Sequence, residues 1–190
     1  MHEQWRALEE RCKACKACGL WETRTNVVFG DGNPRTDLML IGEGPGQQED
    51  LTGRAFVGRG GQLLDKFLAA VDLDRTKLYI GNMVKCRPPQ NRDPKPEETE
   101  QCIGFLREQV RIIRPRIIVC LGRIAACRLI DPNFKVTRQH GEWFEKGGIK
   151  FMGTFHPAAL LRNPGQKPAA YEDFLKLRAE LDRMAAEKNN

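Results

Sequence analysis

The chain has 190 residues, 41% of them hydrophobic, and its 31 lysines and arginines against 25 acidic residues leave a formal charge of +6. At about 100 to 200 residues per domain, this length supports one full core over residues 1–190 and argues against two independent domains. No run approaches the roughly 18 apolar residues of a membrane span, and Met1 to Arg6 lack the basic start and apolar stretch of a signal peptide, so the expected compartment is the cytosol. Thiols stay reduced there, and seven cysteines then point to a metal or a reactive thiol ahead of a disulfide framework. The positive balance suits a polyanionic partner, although a modest lysine surplus is also common in plain globular proteins.

Strands and helices alternate along the chain. Residues 37–41 form a buried apolar run stopped by Gly42, and Gln62 to Val71 place Leu63, Leu64, Phe67, Leu68 and Val71 on one helical face. Leu78 to Ile80 is a second strand, followed by a proline- and charge-rich loop from Arg87 to Glu98. Pro96-Glu97-Glu98 opens a helix with a proline and acids in its first turn, and Ile103, Leu106, Val110 and Ile113 mark its apolar face before Pro115. Ile117 to Leu121 is a third strand, and a short helix after Gly122 carries Ala125, Ala126 and Leu129. Trp143-Phe144, turned by Gly147-Gly148, leads into a last strand from Ile149 to Phe155, and Tyr171, Phe174, Leu177, Leu181 and Met184 form the stripe of a C-terminal helix. This order predicts a three-layer α/β/α sandwich around a mainly parallel, four-stranded sheet.

In such sheets ligands bind beyond the carboxyl ends of the strands. Gly42-Glu43-Gly44-Pro45-Gly46 follows the first strand, Asn82 the second, Gly122 the third and His156-Pro157 the last. A parallel sheet brings these turns to one edge. The glycine segment is one residue short of the dinucleotide fingerprint, and no phosphate-loop Gly-Lys-Ser/Thr occurs, which disfavours dehydrogenase and ATPase activities. It reads either as a tight turn or as a loop whose backbone N–H groups and Glu43 face a ligand. His156, between a strand and a proline, is placed to donate to charge that develops during a reaction. The Asn82 amide either caps a turn or reads a base edge with its donor–acceptor pair. Phe56, within Gly53-Arg54-Ala55-Phe56-Val57-Gly58, either packs on the core or stacks on a base. Lys85, Arg87, Arg92, Arg162 and Lys167 flank these loops and suit phosphates, or are simply solvated.

Of the seven cysteines, Cys120 and Cys127 lie in apolar strand and helix contexts and read as inert core residues. Cys12, Cys15 and Cys18 are spaced three apart, and Cys86 and Cys102 stand far downstream. A Cys-x-x-Cys turn with two distant thiolates makes a four-sulfur site that suits zinc or an iron–sulfur cluster. The second pair is split between a loop and a helix, unlike the paired knuckles of a structural zinc site, and this leans toward a cluster. Five candidates for four positions leave Cys12 or Cys18 over.

Together these segments resemble a family 4 uracil-DNA glycosylase, the iron–sulfur branch of bacteria and archaea. The resemblance runs from Cys15 through Val27-Val28-Phe29-Gly30-Asp31-Gly32-Asn33-Pro34, the two glycine-rich segments and Lys85-Cys86-Arg87-Pro88-Pro89, to His156-Pro157-Ala158-Ala159-Leu160-Leu161-Arg162-Asn163-Pro164. It implies a 4Fe–4S cluster on Cys15, Cys18, Cys86 and Cys102, structural in role, with Cys12 as the surplus thiol. It further implies that uracil is flipped from DNA and its N-glycosidic bond hydrolysed, leaving an abasic site. Phe56 would stack on the base, Asn82 would pair with its N3–H and O4, and His156 would donate to O2. Backbone groups of Gly42 and Gly44, with Glu49 and Asp50 as secondary candidates, would complete the uracil pocket. Glu43 is the second catalytic candidate, since it stands where other branches carry a water-activating Asp or Asn. Leu160, Leu161 and Arg162 match the segment that fills the gap left by the flipped base.

Two departures are visible. Cys12 is extra, and Ala158 replaces a serine common after His-Pro in other branches. A related branch traps uracil-DNA through a histidine on a basic insert, but Gln47 to Gly53 contains neither a histidine nor a basic run. Uracil-containing DNA is the expected partner and a monomer the expected state. The sequence leaves open a clamp or polymerase partner and the strandedness of the DNA. A non-catalytic uracil-binding module of the same fold and a zinc-stapled nucleic-acid adaptor are the competing readings.

Overall fold

The computed structural model describes residues 2–188. Its first element is α1 (His2–Lys13), and the strands that follow are β1 (Asp31–Gly32), β2 (Leu38–Gly42), β3 (Tyr79–Asn82), β4 (Ile117–Leu121), β5 (Trp143–Lys146) and β6 (Ile149–Thr154). Between and after them lie α2 (Gln47–Thr52), α3 (Arg59–Ala69), α4 (Pro96–Ile113), α5 (Arg123–Leu129), α6 (Val136–Gln139), α7 (Pro157–Arg162) and α8 (Lys167–Lys188). The strands join in the order β1-β3-β2-β4-β6-β5. Strands β3, β2, β4 and β6 are mutually parallel, and β1 and β5 add antiparallel edges.

The continuous apolar runs of β2 and β4 are explained by burial on both faces. Side chains alternate across the pleat, so Leu38 and Leu40 point one way and Met39 and Ile41 the other. The first set packs with Leu64, Phe67 and Leu68 of α3 and with Phe174 and Leu177 of α8. The second packs with Ile103, Leu106 and Ile113 of α4 and with Ala125 and Ala126 of α5. Two cores on opposite faces of one sheet make the expected three-layer sandwich. No helix among the described residues is long and apolar enough to cross a membrane.

The sheet differs from the expected four strands by its two edges. Strand β1 is only Asp31-Gly32, residue types with little strand preference, and it is held by its pairing with Tyr79 and Ile80. Strand β5 forms a hairpin with β6 through Gly147 and Gly148, both at positive φ (58° and 76°), as a tight two-residue turn requires. Helix α3 begins at Arg59, three residues before the expected Gln62, with Gly60 and Gly61 in its first turn, and ends at Ala69, short of the expected Val71.

Candidate active site

A cleft of about 650 Å³ opens at the carboxyl ends of the parallel strands. Its wall joins the turn after β2 (Glu43, Gly44), the loop before α3 (Phe56), the end of β3 (Asn82), the turn after β4 (Gly122, Arg123) and the start of α7 (His156). The predicted convergence of strand ends is therefore what the topology produces.

At the cleft floor Asn82 is 1% exposed, and its Oδ1 is the buried side-chain polar atom without a hydrogen-bond partner among the described residues. A buried, unpaired acceptor is unfavourable by about 1–3 kcal/mol, which makes it a mark of a missing donor. The ring of Phe56 stands beside it. A Cβ at Gly42 would lie 2.5 Å from Phe56 Cζ and 2.6 Å from Asn82 Oδ1, so only glycine lets ring and amide meet over the end of β2.

Phe56 itself sits in the left-handed region at φ 53°, unusual for an aromatic residue. The surroundings impose this conformation. The Arg75 guanidinium donates to the carbonyls of Ala55 (2.7 Å) and Phe56, and is itself held by Asp31 (2.7 Å) and Asp65 (2.9 Å). Glu49, at the cleft edge, accepts from the N–H groups of Val57 (2.8 Å) and Gly58 (2.7 Å) and fixes the same loop from its other side.

His156 caps α7, its Nδ1 accepting from Ala158 N–H at 3.1 Å. Burial, reinforced by Arg162, pushes its pKa down to about 4. The ring is neutral near pH 7, and with Nδ1 used as an acceptor its proton belongs on Nε2. Its ring centroid lies 5.8 Å from that of Phe56. Glu43, on the facing turn, has its carboxyl pushed up to about 7 by burial and then by Asp93, against the pull of Arg123 and Arg162. The cleft thus pairs a neutral N–H donor with a carboxyl group poised near neutrality.

A second, smaller hollow is lined by Cys12, Cys15, Cys18, Cys86 and Cys102 together with Leu20, Arg24 and Phe105. Arg24 Nη1 lies 3.1 Å from Cys86 Sγ and Lys85 N–H 3.2 Å from Cys102 Sγ. Burial raises the Cys86 thiol and pushes Cys102 up to about 11, so both need a bound cation to ionise at neutral pH. No three His, Cys, Asp or Glu side chains among the described residues close in on a single ion. Five thiols ringing one hollow, with N–H donors aimed at two of the sulfurs, are a donor set chemically suited to a multi-iron cluster.

A sequence model of the uracil DNA glycosylase superfamily matches residues 29–181. The chain belongs to that superfamily. It is 48% identical to the type-4 uracil-DNA glycosylase of Thermotoga maritima over 160 residues, 82% of each chain, and 44% identical to that of Archaeoglobus fulgidus over 172 residues, 86% of each. A type-5 enzyme of Pyrobaculum aerophilum is 32% identical over 155 residues, covering 73% of this chain and 67% of that one. These identities place the chain in the type-4 branch.

Of the candidates, the glycosylase cleft gathers Glu43, Gly44, Glu49, Phe56, Asn82, His156 and Arg162, with Gly42 directly behind Phe56 and Asn82. Asp50 is turned away: it is buried, and its carboxylate accepts from Thr25 (2.9 Å) and Asn26 (3.2 Å) N–H groups. Leu160 is 1% exposed and part of the core beneath α7, so it is not free to enter DNA, whereas Leu161 is half-buried and Arg162 exposed. Lys85, expected near phosphates, is entirely buried. Arg87 is bonded to Asn91 and Arg92 to Glu98. Cys120 is buried as expected, but Cys127 is only half-buried. Sequence reasoning missed Asp93, Arg123 and Arg75, which sit in loops or next to turns and carry no periodic signal.

Proposed function

We propose that this protein excises uracil from DNA by hydrolysing its N-glycosidic bond, as a type-4 uracil-DNA glycosylase does by name. The observation that carries this reading is the unpartnered, buried Asn82 Oδ1 beside Phe56. Uracil presents an N3–H donor and an O4 acceptor, which complement the Oδ1 acceptor and Nδ2 donor of one amide. Cytosine has an acceptor at N3 and a donor at N4, and would leave both pairs mismatched. The base must be flipped out to reach this floor, and the Phe56 ring offers it a stacking surface.

Breaking the N1–C1′ bond sends its electron pair to uracil and leaves an oxocarbenium-like sugar. His156 Nε2–H donates to O2, where the negative charge collects, and being neutral it leaves uracil as an anion. The Glu43 carboxylate stabilises the sugar cation and takes a proton from the water that adds to C1′. A pKa near 7 suits that role at neutral pH. Arg162, Arg123 and Arg59 at the cleft rim suit the DNA phosphates.

Cys15, Cys18, Cys86 and Cys102 would hold a 4Fe–4S cluster, which would tie the N-terminal segment to the loop after β3 and to helix α4. The wall's five thiols leave Cys12 as the fifth; its place beside Leu8 and Phe29 in an apolar cluster favours its being the surplus one. A single cytosolic domain acting on DNA as a monomer completes the reading.

The test is incubation of the cluster-loaded protein with an oligonucleotide bearing one uracil, followed by alkaline cleavage. Wild-type protein should cut, and His156→Ala should cut about 10²–10³-fold more slowly. Retention of the oligonucleotide without any release of uracil would instead identify a binding module.

A further inference from the structure

The mechanism above has no use for Lys85, yet it is the largest of the side chains that are essentially fully buried, at 1% exposure. An amine is placed so deep only where it has acceptors to satisfy. Its Nζ donates to the backbone carbonyl of Asn82 at 2.9 Å and to Gln109 Oε1 at 2.7 Å. Gln109 is in turn fixed by its own amide, which donates to the Phe29 carbonyl and the Tyr79 hydroxyl, both at 2.9 Å.

The topology explains why the Asn82 carbonyl needs such a donor. Met83 N–H bonds to the Gly42 carbonyl, toward β2. In a trans peptide unit the C=O and N–H point in opposite directions, so the Asn82 carbonyl faces away from β2. On that side antiparallel β1 begins at Asp31 opposite Ile80, and its pairing does not reach Asn82. The sheet therefore has no strand to satisfy this carbonyl, and the lysine fills the gap. Its own backbone N–H bonds to Cys102 Sγ, so one residue joins the cysteine wall to the end of β3.

We infer that Lys85 is a specificity-positioning residue: it locks the Asn82–Met83 peptide plane, and thereby the angle at which the Asn82 amide meets the base edge. This rests on the proposal that Asn82 reads uracil. Lys85 touches neither substrate nor reacting atoms, so its loss acts on recognition of the base more than on bond cleavage.

The test uses the full-length, cluster-loaded protein carrying Lys85→Met, Asn82→Ala or both, with iron content and melting temperature measured for each. Two quantities are read: the inhibition constant of free uracil, and KM separately from kcat on single-uracil oligonucleotides. Lys85→Met should raise the uracil inhibition constant and KM about tenfold, the scale of one lost buried hydrogen bond, while kcat changes less. The double variant should be no worse than Asn82→Ala alone, because both changes remove the same interaction. Lys85→Gln, which keeps a terminal N–H donor, should recover part of the uracil affinity. Should Lys85→Met not fold, Lys85→Gln enters the same cycle with the same two readings.

A variant that melts earlier but binds uracil within twofold of wild type would overturn the inference. So would losses from Lys85 and Asn82 that simply add. If Asn82→Ala leaves uracil affinity unchanged, it is the base-reading role of Asn82 that fails, which is a separate result.

Discussion

His156 and Glu43 differ from ordinary residues of their types in opposite directions, and burial is the leading cause of both shifts. For the histidine, burial disfavours the imidazolium, so the ring stays neutral above its pKa of about 4. For the glutamate, burial disfavours the carboxylate, which is completed only above about 7. If cleavage needs neutral His156 and ionised Glu43, kcat/KM should climb as pH rises through about 7, with no falling limb from His156 between pH 5 and 8. A pH–rate profile checks this, and Glu43→Gln should flatten the climb as well as lowering the rate. The same raised carboxyl has a stability consequence. Between pH 4.5 and 7 the folded state holds a proton that the unfolded state has released, so stability falls as pH rises through that window. Glu43→Gln removes this loss, and its melting temperature relative to wild type should therefore be higher at pH 8 than at pH 5. Most of these polar site residues were legible in the sequence because each follows an apolar strand directly. Asp50, Leu160 and Lys85 were not, since the direction of a side chain, into the cleft or into the protein, is decided by contacts far away in the chain.

At the scale of elements, the pocket depends on where backbone approaches side chain. The end of β2 passes behind Phe56 and Asn82 with no room for a Cβ. Gly42→Ala should leave the sheet intact, as its φ is not in the left-handed region, yet push the Phe56 ring or the Asn82 amide into the space proposed for uracil. Excision should fall by at least about two orders of magnitude, from a few kcal/mol of lost stacking and hydrogen bonding, while far-UV circular dichroism is unchanged. Retained excision would show that the ring moves without consequence. The Arg75 clamp makes the complementary case. Arg75→Ala removes the donors that hold Phe56 at positive φ, a strain worth on the order of 1–3 kcal/mol, and should raise KM more than it lowers kcat. The long helices and parallel strands of this scaffold were readable from their periodicity. The N-terminal helix α1 was passed over, although Trp5, Leu8 and Cys12 lie at helical spacing, because its remaining residues are almost all polar and only Leu8 and Cys12 are buried. Strand β1 could not be read at all from two residues whose pairing is set by β3.

At the scale of the whole molecule, the sheet and the cysteine wall are packed separately. The two large cores lie on the faces of the sheet, whereas Leu20, Val84, Cys86 and Cys102 form a small cluster of their own and Leu8, Cys12 and Phe29 another. The sequence shows that five cysteines are candidates and that strands alternate with helices. That residues 12–24 fold back onto the loop after β3 follows from the sequence only by reading Cys15, Cys18, Cys86 and Cys102 as one ligand set, because no local pattern encodes a contact between segments about 70 residues apart. Small apolar clusters supply only a few kcal/mol, so the wall depends on whatever its thiols bind. Removing the proposed cluster by oxidation and chelation should therefore open residues 12–26 and 83–95 while β2, β4 and β6 keep their protection in hydrogen exchange. Uracil excision should fail in that state even though the sheet survives, since Asn82 and Lys85 stand at the junction between the two regions. Loss of protection throughout the sheet would mean that the wall and the sheet unfold as one unit. Undiminished protection at 83–95 would mean that packing alone holds the loop after β3, and the bound group would then have no part in shaping the cleft.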